Sequence, residues 1–410
     1  MYIQRELETT LRRYLSVKEI LAVVGPRQSG KSTLLGHLIE ALPNTHSITF
    51  EDQDLLALFD RDIKAFAELH VKKYDYVFID EIQYSKHSGK RLKYIYDTCA
   101  TKLLISGSSA TELSIHSIRS LVGRIFVFNL YPLSFKEFLQ HKNPSFHTLI
   151  EQGHDQELKE LNELQEEFLL YGGYPRVVLA QNSAEKQQVL KNIYNTYFLR
   201  EIKEILQLSE DYKLADLIKA LALQIGGIIN HQELSQLSGF TYSDLKKHLQ
   251  ILEKTFICSF IRNFHTNKRT ELVKSPKVFF FDTGFRNEVI KNYASERVDK
   301  GQLLENFIFT ELIKKGQEVK YWRTKAKAEV DFVLECQNKP VPLEVKSMKV
   351  GITRSFRSFL ETYSPEQAFF LSAMAGNKEK IGNTTVWHLP ISGIIILEQY
   401  LTLSAKEMQK

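Results

Sequence analysis

A chain of 410 residues with 43% apolar and 25% charged side chains has an ordinary globular composition, long enough for two to four domains that each bury a core. Three cysteines, Cys99, Cys258 and Cys336, are odd in number and widely spaced, which argues against a disulfide framework or a thiolate metal cluster and fits a reducing, cytoplasmic setting. The charged start at 1–8 argues against a signal peptide, no apolar run reaches the length of a membrane span, and a net charge of +5 is too mild by itself to indicate nucleic acid.

In chain order, the apolar run 20–24 reads as a buried strand and 33–42 as a helix. Between them Gly25-Pro26-Arg27-Gln28-Ser29-Gly30-Lys31-Ser32 fits the phosphate-loop pattern GxxxxGK[ST]. Strand, loop and helix in this order let backbone N–H groups and the helix N-terminus converge on phosphate oxygens. Gly25 and Gly30 permit close approach and unusual dihedrals, and Lys31 supplies charge to the terminal phosphates. The Ser32 hydroxyl can ligate magnesium. Residues 25–33, through Thr33, are therefore expected to bind ATP.

A second strand at 76–80 ends in Asp80-Glu81, about fifty residues past the loop. Asp80 is placed to hold magnesium through water, and Glu81 to orient and polarise the attacking water. The carboxyl end of a parallel strand is where ligands bind in such sheets. A further strand at 102–106 leads into Gly107-Ser108-Ser109, where Ser108 or Ser109 can sense the γ-phosphate, or where the cluster is only a turn. Of Arg119 and Arg124, the latter precedes a strand-like 125–130 and is the better candidate to reach a neighbouring subunit's γ-phosphate. A salt-bridged surface arginine is the alternative. The finger reading requires a homo-oligomer, such as a hexamer.

Residues 214–261 read as helices with a turn at Ser238-Gly239, Thr241 as an N-cap, and Lys246, Lys247 and His248 on the following helix. With the extended 256–261, this is the pattern of a winged helix-turn-helix. From 262 to 277, Arg262, Lys268, Arg269, Lys274 and Lys277 oppose only Glu271. That local positive surplus suits DNA phosphates, with protein docking as the alternative.

Near the C-terminus Glu329 and Asp331 alternate with Val330, Phe332 and Leu334, and Glu344 and Lys346 alternate with Leu343 and Val345. A hairpin closed at Gln337-Asn338 would set Asp331 opposite Glu344 and Glu329 opposite Lys346. Acids and a lysine gathered on one sheet face are costly without a task or a partner. Upstream, Glu305 lies on an amphipathic helix beginning near 301.

These stretches carry a resemblance. GPRQSGKSTLL (25–35), YVFIDEIQ (76–83), LLISGSSATEL (103–113), GRIFVFNLYPLSFKEF (123–138), YGGYPRVVLA (171–180) and FFFDTGF (279–285) resemble the prokaryotic AAA-type ATPases that carry a C-terminal nuclease-like domain. The Asp…Glu-x-Lys set resembles the PD-(D/E)xK nuclease site, although Val330 stands where the motif's proline would be. By that resemblance Glu305, Asp331 and Glu344 bind Mg2+ or Mn2+ and Lys346 assists the attacking water. Pro175 lies near the base, and Arg176 acts as a second sensor in a helical lid that includes the acidic stretch 151–167. The implied fold is α/β: a P-loop AAA-type ATPase core (1–135), a helical lid (136–185), a winged-helix region (186–290) and a restriction-endonuclease-like domain (291–410). The implied function is an oligomeric, ATP-driven enzyme that binds, remodels and cuts DNA, branched forms included. Its rivals are a nucleotide-controlled signalling or defence switch with an inert C-terminal site, and a protein-remodelling ATPase.

Overall fold

A computed structural model describes residues 2–107, 121–143, 155–199, 202–203, 206, 208, 211–267, 269, 271, 274–348, 351–373 and 378–401, with 155–158, 197–199 and 211 described as backbone. The chain forms two compact units. The first comprises 1–133 with 174–176 and 250–256, and the second holds the remainder. The three domains expected from 136 onward thus fall, those two short segments apart, in a single compact unit.

The first unit is built on strands β1 (Ile20–Val24), β2 (Thr45–Thr49), β3 (Tyr76–Asp80), β4 (Lys102–Gly107) and β5 (Ile125–Asn129), all parallel in the order β2-β3-β4-β1-β5. Every residue of β1 is buried, as a continuous apolar run in a covered parallel sheet should be. Its Leu21 and Val23 pack with Leu34, Leu35 and Leu38 of the helix Lys31–Glu40 and with Leu11 of the helix Glu6–Arg13. From β1 the chain runs out to the β2 edge, returns through β3 and β4, and crosses to β5 on the other side of β1. That reversal at the carboxyl end of β1 is where ligands bind in such sheets.

The second unit has an antiparallel ribbon, β6 (Cys258–Ile261) with β7 (Lys277–Phe280). Its mixed sheet is ordered β12-β13-β11-β10-β9-β8, from β8 (Val319–Arg323), β9 (Glu329–Cys336), β10 (Lys339–Val345), β11 (Gln367–Ser372), β12 (Glu379–Ile381) and β13 (Thr384–Pro390). The helix Arg354–Tyr363 packs Phe356, Phe359 and Leu360 against Trp322, Val330 and Val333. Ahead of the ribbon, the helices His231–Ser238 and Tyr242–Lys254 are joined through Gly239 at φ +69°. Thr241 caps the second of them, its Oγ1 accepting from Asp244 N at 3.2 Å, as expected.

Two of the motifs quoted above interlock in this unit. Asp282, wholly buried, accepts from Gly173 N and from Phe285 N, each at 2.8 Å. At the end of the helix Asp155–Tyr171, Thr283 donates to Phe168 O, which also accepts from Gly172 N, and Asn287 donates to the carbonyls of Leu169 and Leu170. The approach leaves no room for side chains. A Cβ on Gly284 would fall 1.9 Å from Tyr171 O, and one on Gly172 2.2 Å from Asp282 Oδ1. Gly284→Ala should therefore cost at least about 1–3 kcal/mol by overpacking against backbone. Urea unfolding checks this, and an unchanged midpoint would show that the helix end yields freely.

Candidate nucleotide and carboxylate sites

The phosphate loop follows β1 and is shaped by its neighbours. A Cβ on Gly25 would lie 2.1 Å from Leu130 O, Gly30 sits at φ +95°, and Gln28 also adopts positive φ. Glycine is needed at 25 for space and at 30 for conformation. Lys31, 4% exposed, opens the helix Lys31–Glu40 and donates to Gly25 O at 3.0 Å and Pro26 O at 2.9 Å. Its ammonium thus lies over the loop, while Ser32 and Thr33 are exposed on the first turn. Arg27 reaches Tyr84 OH at 3.3 Å. Ser29 Oγ is buried in the loop and meets no hydrogen-bond partner among the described residues.

Asp80 ends β3 as expected. Its Oδ1 accepts from Ser106 Oγ and, at 3.1 Å, from Glu81 N. Ser106, which sequence reasoning left as part of a strand, pairs with Val23 of β1 and so stands beside the phosphate loop. Only the neighbouring Gly107 hinted at a polar sheet edge there. Glu81 takes a left-handed backbone (φ +55°), an unfavourable geometry for a non-glycine residue that turns its carboxylate off the strand end. Gln83 holds that carboxylate through a hydrogen bond.

The remaining expectations on this unit divide. Ser108, Ser109 and Arg119 lie outside the described residues. Arg124 precedes β5, whose Ile125 pairs with Ile20, the first residue of β1, whereas the phosphate loop follows the last. Arg124 therefore stands at the opposite sheet edge from its own loop. There its Nε bonds Asp97 at 3.0 Å and its guanidinium lies 5.7 Å from the Tyr96 ring centre. Pro175 comes to 3.7 Å from the point a Gly30 Cβ would occupy, and Arg176 is exposed.

In the second unit β9 and β10 pair in the expected register, Cys336 with Lys339 through Phe332 with Leu343, around Gln337 and Asn338 at φ +50° and +63°. Two positive-φ residues suit a tight hairpin. Asp331 and Glu344 meet just beyond the last ladder pair. Asp331 Oδ2 accepts from Val345 N at 2.8 Å, and Asp331 N lies 3.4 Å from Glu344 Oε2. Lys346 reaches Glu344 at 2.8 Å and Asp331 at 3.3 Å. Glu305, on the helix Lys300–Lys314, is close enough for the charges of Asp331, Lys277 and Lys346 to act on it.

Three features differ from expectation. Strict alternation fails, because Asp331 and Phe332 together oppose Tyr321 in a β-bulge between β8 and β9. Phe332 therefore packs on Phe279, away from Val330. Bulges of this kind re-aim side chains beside functional sites. Glu329 bonds Lys277 at 2.6 Å and Arg323 at 3.2 Å, and Lys346 turns to the other two acids instead. The basic segment is also less available to DNA than its charge implied. Lys277 is 2% exposed among carboxylates and Lys268 lies outside the described residues, while Arg262 and Arg269 are exposed. Sequence reasoning missed Lys277 as a site residue because its charge read as surface.

Burial and then Asp331 push the Glu305 carboxyl up to about 8, and the same two causes push Glu344 up to about 7. Burial lowers Lys277 and Lys346, but the surrounding carboxylates outweigh it and hold both above the usual lysine range. Among the described residues no three His, Cys, Asp or Glu side chains form a ready ion cage. The expected metal set of Glu305, Asp331 and Glu344 is thus not preassembled, since the Lys346 ammonium lies between two of its members.

The comparisons with known proteins agree with the first unit's geometry. Residues 17–139 match the family model described as an AAA domain. This part of the chain is an AAA-type P-loop ATPase domain. Residues 162–296 and 300–392 match two domains of unknown function (DUF8612 and DUF4143). An uncharacterised protein of Haemophilus influenzae is 28% identical over 80% of this chain and 82% of its own length. One from Methanocaldococcus jannaschii is 26% identical over 82% and 76%. Among solved structures, similarity is found to a signal-transduction ATPase with a tetratricopeptide-repeat sensor from Pyrococcus horikoshii (16% identity, TM-score 0.27, 77% of this chain and 46% of that one). It extends to the Aeropyrum pernix ORC1 protein in complex with DNA (11% identity, TM-score 0.30, 71% and 93%). No helix among the described residues is long and apolar enough to cross a membrane.

A pH dependence follows from the acids. Between the ordinary carboxyl value of 4.5 and about 8, native Glu305 holds a proton that the unfolded chain has released. Stability therefore falls as pH rises through that window. Glu305→Gln should flatten the decline in melting temperature between pH 5 and 8, measured without divalent ions. An equal decline in the variant would show that Glu305 does not titrate there.

Proposed function

We propose that the AAA-type domain drives a DNA-directed enzyme whose C-terminal carboxylate–lysine site hydrolyses phosphodiesters. The observation that carries the second half is the meeting of Asp331, Glu344 and Lys346 on one hairpin beside the helical Glu305. At the nucleotide site the exposed Ser32 hydroxyl and the Asp80 carboxylate are hard oxygen donors that suit Mg2+, which supplies positive charge to the β- and γ-phosphates. Lys31 adds its charge to the terminal phosphates. Glu81 accepts a proton as the water oxygen bonds the γ-phosphorus and the bond to the β-phosphate oxygen breaks. Arg124, at the far sheet edge, serves a neighbouring subunit's site, so the active form is a homo-oligomer such as a hexamer.

DNA is engaged by the helix Tyr242–Lys254, which exposes Tyr242, Lys246 and Lys247 in the manner of a winged-helix reader. Branched repair or recombination intermediates suit a machine with both activities. At the second site Glu305, Asp331 and Glu344 would supply carboxylate oxygens to hold Mg2+ or Mn2+, and Lys346 would assist the attacking water. A second reading, a nucleotide-controlled signalling or defence switch with an inert C-terminal site, is favoured by that same Lys346 bridge between Asp331 and Glu344.

Three measurements test the proposal, and the last two decide between the readings. Glu81→Gln should lower phosphate release about 10²–10⁴-fold while ATP still binds. DNA should stimulate the native ATPase in a salt-dependent way. With Mg2+ or Mn2+ the native chain should cut DNA, and Asp331→Ala and Lys346→Ala should abolish cutting. No cleavage by the native chain, with an ATPase indifferent to DNA, would establish the switch.

A further inference from the structure

Arg5 lies outside every motif, yet the fold brings it to the nucleotide loop. It directly precedes the helix Glu6–Arg13 and is 5% exposed. One guanidinium nitrogen donates to Ser29 O at 2.8 Å, and the other donates to Tyr131 O at 2.7 Å. The first of these nitrogens is 3.7 Å from the point a Gly30 Cβ would occupy. Arg5 thus spans the loop and the chain leaving β5, where Leu130 N bonds Val24 O at 2.7 Å.

Orienting the Ser29 carbonyl fixes the peptide plane whose N–H belongs to Gly30, the residue that leads into the helix Lys31–Glu40. Phosphate oxygens are held by such N–H groups together with the helix N-terminus. A buried guanidinium beside that N-terminus also adds to its positive potential. The two bonds leave from different guanidinium nitrogens, a planar fork that a single ammonium nitrogen does not reproduce.

We propose that Arg5 is a positioning residue for ATP, presetting the phosphate loop and adding charge beside the triphosphate. In the full chain, Arg5→Ala and Arg5→Gln should weaken ATP and ADP binding about 10–100-fold, the loss of one to two charge-assisted hydrogen bonds. Adenosine binding should be unchanged. The KM for ATP should rise by a similar factor, with kcat moving less than about threefold. Arg5→Lys should recover only part of the affinity. Lys31→Ala is the control: if it and the Arg5 variants all leave ATP binding intact, the phosphate-loop reading on which this proposal rests fails and the Arg5 role falls with it. If Lys31→Ala abolishes binding while the Arg5 variants match the native chain, Arg5 has no positioning role. Equal loss of adenosine and ATP would assign Arg5 to stability alone, which also overturns the proposal.

Discussion

Charge taken out of water must be met at short range, and both candidate sites are arranged around that demand. In the AAA-type domain the buried cations Arg5 and Lys31 both bond main-chain carbonyls of the loop region. Both cations thus stand at the loop, where a triphosphate would bring negative charge. In the second unit the buried Lys277 and the half-buried Lys346 are met by carboxyl groups. There the acids are in excess and two retain protons near neutrality. The first unit thus gathers cations at its loop, whereas the second gathers carboxyl groups around its cations.

Close backbone approach is the second constraint. Gly25 admits Leu130 O, and Gly172 and Gly284 admit Asp282 and Tyr171. In the latter pair no ligand need be involved. A wholly buried carboxylate, raised by burial, is held by main-chain N–H groups while neighbouring side chains cap a helix end. Stretches that carry a family resemblance can therefore mark assembly of the unit as well as chemistry.

Much of this was legible from residue types because the signals were local. The phosphate loop, Asp80-Glu81, the Thr241 cap and the Gln337-Asn338 turn each depend on a few consecutive residues, and the strand register follows once the turn is placed. What was not legible depended on distant pairing. Ser106 matters because β4 lies between β3 and β1, and Lys277 because β7 approaches β9. The bulge at Asp331 breaks an alternation that the sequence itself keeps intact, since the extra residue is defined by what faces it on β8. Charge counting along 262–277 misplaced Lys277 for a related reason, as it cannot tell a solvated lysine from one folded into an acidic site.

Lys277 also bears on where the functional boundary lies. It belongs to the stretch 162–296, whereas Glu305, Asp331 and Glu344 belong to 300–392, two segments matched by separate family models. Yet Lys277 bonds Glu329 and its charge acts on Glu305. Removing the first segment would take from Glu329 its bonded cation and from Glu305 a charge that acts on it, a costly state for the fold. Gly226 of the same segment approaches Glu305 so closely that a Cβ there would be 2.9 Å from Oε2. The carboxylate site is therefore a property of both segments together. Whatever it binds must be accommodated by the ribbon and the loop at 224–228 as well as by the hairpin that carries the acids.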